Sequence, residues 1–205
     1  MNPRSSIEFF EEQFQRQVAA RDYALNPFER AALPHLSGRV LDYGCGLGNL
    51  ALHAARAGCR VTAIDASHTA IEHLQAVARS ESLPLHAVEA ELSDYRLAED
   101  FDTVVCIGLL MFFDCPTAYR QLGELQAHVR PGGIVIVNVL VEGTTFMDMF
   151  TPGKYCLFER GELQERFRDW QIVSQLFQDF DAPGNKRKAF CTIIARKPQV
   201  VRGAA

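Results

Sequence analysis

Apolar positions along the 205 residues follow two different periods, and the change between them divides the chain. Near the N-terminus Ile7, Phe10, Phe14 and Val18 recur every three to four residues, the spacing of one helix face, and Ser5 with Glu8 makes a capping-box pattern ahead of them. A second helix is expected from Asn26 as N-cap, with Pro27 at the first helical position and Glu29 in the first turn, ending before Pro34. From Gly38 short apolar runs alternate with helical patterns. Residues 39–43 read as a strand, 49–57 as a helix ended by Gly58, and 60–64 as a second strand ending at Asp65. Ser67 then caps a helix carrying Ile71, Leu74 and Val77. Strands follow at 85–88 and 101–107, a helix at 117–129 broken by Pro131-Gly132-Gly133, and a β-branched strand at 134–141. That last strand is too continuously apolar to be half exposed. Strands joined by crossover helices form a parallel sheet covered on both faces.

After Val141 the rhythm changes. Residues 142–158 form a long irregular stretch rich in Phe and Met (Phe146, Met147, Met149, Phe150), longer than most connections in a compact domain and too apolar for disorder. A helix is expected at 161–169. Two strand-like runs follow, 171–178 and 188–196, joined by a turn at Ala182-Pro183-Gly184-Asn185, which favours an antiparallel hairpin at the sheet edge. The expected organisation is one domain of residues 1–197, with a helical N-terminal cap (1–37) and a doubly wound α/β core (38–197). A mobile tail is expected at 198–205.

Composition narrows the partners. The formal net charge is −4, which gives no general attraction to nucleic acid or to an anionic membrane. No apolar run approaches the roughly 20 residues that span a bilayer, and the first twenty residues are amphipathic and acidic where a signal peptide is basic then apolar. A cytoplasmic protein with a small-molecule partner is expected; the oligomeric state stays open. The six cysteines are scattered, without a C-x-x-C pair or a histidine at metal-ligand spacing, so no metal is expected and reduced thiols acting as small hydrophobes fit most of them. Cys115 and Cys156 stand apart from the rest, outside the strand patterns.

The chemistry is concentrated at strand ends, where open α/β sheets bind ligands. In Asp42-Tyr43-Gly44-Cys45-Gly46-Leu47-Gly48-Asn49 an apolar strand runs into glycines at every second position, which lets the backbone approach a ligand that a Cβ would hold off. The spacing is G-x-G-x-G, not the G-x-G-x-x-G of dinucleotide sites. Asp65, about 20 residues on, is placed to accept hydrogen bonds from both hydroxyls of a ribose. Glu91 lies just past the third strand, and Ile107-Gly108 ends the fourth.

The set DYGCGLG, the acid in AIDAS, FDTVVCIG and RPGG, in this order and spacing, resembles the class I S-adenosylmethionine-dependent methyltransferases over roughly residues 38–197. The resemblance implies a mostly parallel seven-stranded sheet with a C-terminal antiparallel hairpin and S-adenosyl-L-methionine as cofactor. It implies that Gly44, Gly46 and Gly48, with Cys45 and Asn49, meet the methionine and ribose part, and that Asp65 holds the ribose. Ala66 would lie against the adenine and Glu91, beside Leu92, would accept from its amino group. Backbone near Ile107 would hold the ammonium, Asp42 would orient the loop or the ammonium, and Met111 would border the methyl-transfer site.

A narrower similarity is to the bacterial tellurite-resistance methyltransferases, carried by Leu110-Met111-Phe112, Phe158-Glu159-Arg160-Gly161-Glu162-Leu163, Trp170 and Tyr23-Ala24-Leu25. It implies a soft nucleophile or a chalcogen oxyanion, tellurite or selenite, as acceptor. The chain departs from that group where Asn26-Pro27-Phe28-Glu29 replaces a basic segment and where its last hairpin keeps only Lys186-Arg187-Lys188 to meet an anion. The expected acceptor-pocket residues are Met111, Tyr155, Arg160 and Tyr23, walled by the loop at 142–158. In-line displacement from a sulfonium needs alignment and exclusion of water, and no nucleophilic side chain. The rival readings are a nicotinamide-dependent oxidoreductase, which lacks the third-glycine spacing here, and a non-catalytic S-adenosylmethionine-binding protein.

Overall fold

The computed structural model describes residues 6–199. Ser5, the expected cap of the first helix, and the last six residues of the expected tail lie outside them. In chain order the elements are α1 (Ser6–Ala20), α2 (Pro27–Ala32), β1 (Arg39–Tyr43), α3 (Asn49–Arg56), β2 (Arg60–Asp65), α4 (His68–Ser80), β3 (Leu85–Glu89) and β4 (Phe101–Ile107). They continue with α5 (Cys115–Ala127), β5 (Val129–Leu140), α6 (Glu162–Arg166), β6 (Gln171–Ala182) and β7 (Lys186–Arg196). Seven strands form one sheet in the order β3-β2-β1-β4-β5-β7-β6. β1 to β5 run parallel, while β7 lies antiparallel between β5 and β6. The chain order reverses between β1 and β4, so ligands are expected above that pair.

Alternation along each strand divides the core. Leu41, Val104, Cys106, Val135 and Val137 face Leu122 and Leu125 of α5 together with Leu163 and Phe167. Val40, Val61 and Ala63 face Ala51 of α3 and Leu74 of α4, and farther along the same face Val105, Ile136 and Ile194 meet Ala32 of α2. The second helix is capped as its sequence predicts: the Asn26 Oδ1 accepts from the backbone N–H groups of Phe28 and Glu29, and the Glu29 Oε2 accepts from the Asn26 N–H at 2.7 Å.

Several boundaries differ from the sequence reading. α5 starts two residues early because the Asp114 side chain takes the Thr117 N–H at 2.8 Å. β5 starts at Val129, and the ladder skips between Phe101 and Thr103, absorbing the Pro131-Gly132-Gly133 segment as an irregularity. The hairpin strands extend to Ala182 and from Lys186, because Gly184 and Asn185 both take positive φ and close a tight turn. The expected helix at 161–169 shortens to α6, which begins after Gly161 in the left-handed region. Cys115 and Cys156 form a disulfide with a Cα–Cα distance of 4.7 Å across 41 residues, whereas the other four cysteines are free and buried. Among the described residues no helix is long and apolar enough to cross a membrane.

Candidate functional site

A cavity of about 710 Å³ opens above the carboxyl ends of β1 and β4, within the size range of small-molecule sites. One half is built by the glycine turn. Gly44 and Cys45 donate backbone N–H bonds to the Ile64 carbonyl, which pins the loop to the neighbouring strand. The Asp65 carboxylate reaches into that loop: Oδ2 accepts the Gly46 N–H at 2.8 Å and Oδ1 the Ser67 N–H at 2.9 Å. Asp65 therefore shapes the turn, and the lone pairs left on both oxygens are available to a ligand. Gly108, at the end of β4, has φ +71° and nothing within 4 Å of the place a Cβ would occupy. It lines the cavity, so the space there is a cradle for a ligand.

Asp42, Gly44, Cys45, Gly46, Asn49, Asp65, Ala66, Glu91, Leu92, Ile107 and Met111 all line this cavity. Gly48 does not. Its φ is +70° and a Cβ there would sit 2.5 Å from the buried Leu74 side chain. The third glycine of the motif lets α3 pack on α4.

α1 covers this half. Its Phe14 ring lies 3.0 Å from where a Cβ on Gly46 would be, and Phe10 meets Phe112 edge to face with centroids 4.9 Å apart. The Glu11 carboxylate accepts hydrogen bonds from the Ser67 and Thr69 hydroxyls at the start of α4. Burial pushes the Glu11 carboxyl up, but those hydrogen bonds outweigh it and hold the group below the ordinary carboxylate range.

The other half of the cavity is walled by Phe28 and Glu29 of α2, Asn138 and Leu140 of β5, Phe146 and Met149 of the loop after β5, and Lys188 and Phe190 of β7. Of the four acceptor-pocket candidates only Met111 is in this wall. Tyr23 stacks on His73 of α4 at 4.8 Å, Tyr155 packs on Phe150 at 5.1 Å, and the Arg160 guanidinium lies over Phe177 at 5.0 Å. None of these three side chains lines the cavity, and neither do the rings they pack on. The expected loop wall is present in part: the disulfide ties Cys156 to the start of α5, and the Cys156 N–H bonds the Met111 carbonyl at 3.0 Å.

The basic turn is divided. Lys186 pairs with Asp148 at 2.7 Å and Arg187 with Asp179 at 3.3 Å. Lys188 enters the cavity wall, its ammonium 4.7 Å from the centre of the Phe146 ring, and burial pushes its pKa down. Asp42 is the most perturbed carboxyl of the site. Burial, and then the charges of Glu29 and Asp65, push it up to about 8. Glu29 is also raised, by burial.

The residues that sequence reasoning missed come from elements far apart in the chain, Phe10, Glu29, Asn138 and Phe190, and of the basic turn it named only Lys188 reaches the cavity. One signal was readable: Asn138 is the single polar side chain in the otherwise apolar run Ile134 to Val141.

Residues 40–133 match the family model described as a methyltransferase domain. A curated relative, Hemagglutinin 1 from Eikenella corrodens, is 30% identical over 166 residues, which cover 78% of this chain and 55% of the relative. The chain spans about half the length of the curated relatives it matches. Among solved structures, TehB from Haemophilus influenzae superposes with a TM-score of 0.74 at 22% identity, covering 92% of this chain and 67% of that one. The N-methyltransferase NodS from Bradyrhizobium japonicum, solved in complex with S-adenosyl-L-homocysteine, gives a TM-score of 0.70 at 19% identity over 93% and 99% of the two chains. At such identities the structures show the fold. Residues 40–133 are thus similar to a methyltransferase domain, and the chain has the seven-stranded fold of these methyltransferase structures.

Proposed function

We propose that this chain transfers the methyl group of S-adenosyl-L-methionine to a small-molecule acceptor. The observation that carries the reading is the continuity of the cavity: the glycine turn with Asp65 and Glu91 opens directly into a second, aromatic compartment. Asp65 keeps free lone pairs for a ribose, Glu91 stands at the end of β3 for an adenine amino group, and the Gly108 cradle takes backbone-close atoms. Asp42, beside the loop, faces the cofactor's ammonium. The bound S-adenosylmethionine supplies an electrophilic methyl carbon and a good leaving group. The protein's part is to hold the acceptor in line and keep water out, which the Phe-rich wall, α1 and the tethered loop do.

A chalcogen oxyanion as acceptor has little support in the site. Two of the three basic residues that would meet it are paired with aspartates outside the cavity. The acceptor half keeps one basic side chain, Lys188, and it shares that half with the carboxyl of Glu29.

Calorimetric titration tests the reading. S-adenosylhomocysteine is expected to bind and to raise Tm by mass action, and NAD to do neither. The reverse result would replace the methyltransferase with the oxidoreductase. Binding without product across oxyanions, thiols, amines and phenols would leave a non-catalytic binding protein.

A further inference from the structure

Asn138 occupies the end of β5 and is completely buried. Its Nδ2 donates to the Thr192 hydroxyl at 2.8 Å, and its Oδ1 is the one buried side-chain polar atom without a hydrogen-bond partner among the described residues. Unpaired buried acceptors are costly, and such a group in a cavity wall points to a donor supplied from outside. Glu29 is in the same cavity wall, carried by α2, which packs over that face of the sheet. One of its oxygens takes the Asn26 N–H, which leaves the other for a ligand. Between them the lining is aromatic: Phe28 packs on Phe190 at 4.8 Å, and Phe146 and Phe112 lie in the same wall. Ring faces attract cations.

Resting on the methyl-transfer reading, we propose that the acceptor is an amine, its N–H groups taken by the side-chain oxygens of Asn138 and Glu29 inside this aromatic compartment. The donor count favours it over the alternatives. A carboxylate or oxyanion brings no N–H or O–H for either oxygen. A phenol or thiol brings a single donor for two waiting oxygens. An ammonium brings three N–H groups. Two satisfy Asn138 and Glu29, and the third leaves to water as the amine enters, which uncovers the nitrogen lone pair on the side facing the methyl carbon. The lone pair then forms the new N–C bond to the methyl carbon as the C–S bond breaks, and that bond's electron pair stays on sulfur as a neutral thioether. The products are a methylated ammonium, S-adenosylhomocysteine and the one proton released to water.

The test uses the full chain saturated with S-adenosylhomocysteine, titrated with benzylamine, phenol, thiophenol and benzoate, alongside turnover assays of the same four with S-adenosylmethionine. Benzylamine is expected to bind and to be methylated, the other three to do so at least tenfold less well. Asn138→Leu should weaken benzylamine binding by about tenfold or more, the range of a lost hydrogen bond to a charged group, and leave the affinity for S-adenosylhomocysteine within about twofold. Asn138→Asp keeps an oxygen at the site and should hold benzylamine within about threefold, which separates loss of the acceptor atom from loss of folding. The proposal is overturned if phenol, thiophenol or benzoate binds in place of benzylamine, if none of the four binds, if Asn138→Asp loses as much as Asn138→Leu, or if Asn138→Leu weakens the homocysteine complex instead. Failure of S-adenosylhomocysteine itself to bind would instead remove the methyl-transfer reading beneath it.

Discussion

The two halves of the cavity are built by different means. The half around the glycine turn is centred on one strand-turn-helix unit and the end of the next strand, with Gly108 and α1 closing it, and its central groups already bond one another: Asp65 holds Gly46 and Ser67. The half around Asn138 is assembled from α2, β5, the loop after it and β7, and it keeps an unpaired polar atom in its wall. The first is a preformed cradle. The second is a space whose polar groups wait for a ligand. Cofactor sites on this fold are tied to local geometry, while the acceptor half is free to vary with its contributing elements.

Breaking the tether of the acceptor half should have the largest effect. Closing 41 residues with the Cys115–Cys156 bond stabilises the protein by about 3–5 kcal/mol in the chain-entropy account. Reduction, or Cys115→Ser with Cys156→Ser, should lower Tm by several degrees and loosen the loop wall while S-adenosylhomocysteine affinity stays nearly constant. Equal loss in both halves would show that they are one unit.

Gly48→Ala attacks the other half through packing. The added Cβ would meet Leu74 in a backbone region that favours glycine, a cost of about 2–4 kcal/mol from strain and overpacking together. Denaturant unfolding measures it. A change below about 0.5 kcal/mol would mean that Leu74 yields and that the third glycine is spared by the fold.

Asp65→Ala removes the clamp of the glycine turn and should cost about 1–3 kcal/mol of cofactor affinity, the range for a lost charged hydrogen-bond partner. If Kd for S-adenosylhomocysteine is unchanged, the cradle does not depend on that carboxylate, and the contrast between a locally bonded half and a waiting half weakens.

The smallest effect per step is a pH dependence, at most about 1.4 kcal/mol for each pH unit. Asp42 in the folded protein is pushed up to about 8 from an ordinary 3.8, so between these values the folded state holds a proton that the unfolded state has lost. Stability of the ligand-free protein should therefore fall as pH rises through that window. The cofactor's ammonium favours the ionised carboxylate, so its affinity should rise toward pH 8, by less than about tenfold per pH unit. Thermal melts and titrations from pH 5 to 9, on the native chain and on Asp42→Asn, isolate the group. A native chain whose stability stays flat from pH 5 to 9 relative to Asp42→Asn would show that Asp42 is ionised in the fold.

Most of the fold was legible because it is encoded locally. The alternation of apolar runs gave strand and helix, the Asn26 and Ser67 caps fixed two helix starts, and Gly184-Asn185 fixed the hairpin turn. Boundaries moved where a side chain outside the apolar pattern intervened, as Asp114 did at α5. The glycine turn and the acids after it were legible for the same reason, except that Gly48 serves packing. The acceptor side was read less well. Tyr23, Tyr155 and Arg160 were plausible by residue type, but they pack on His73, Phe150 and Phe177, rings outside the cavity.

By itself the sequence determined the α/β alternation, the strand-to-helix glycine turn and the placement of Asp65 and Glu91 at successive strand ends, because periodicity and turn chemistry act between near neighbours in the chain. Only the tertiary structure decided that Glu29, Asn138 and Lys188 share one cavity, that Lys186 and Arg187 are neutralised outside it, and that Cys115 meets Cys156. Those meetings depend on sheet order and on the register of β5 against β7, set by burial of the whole core rather than by any local signal.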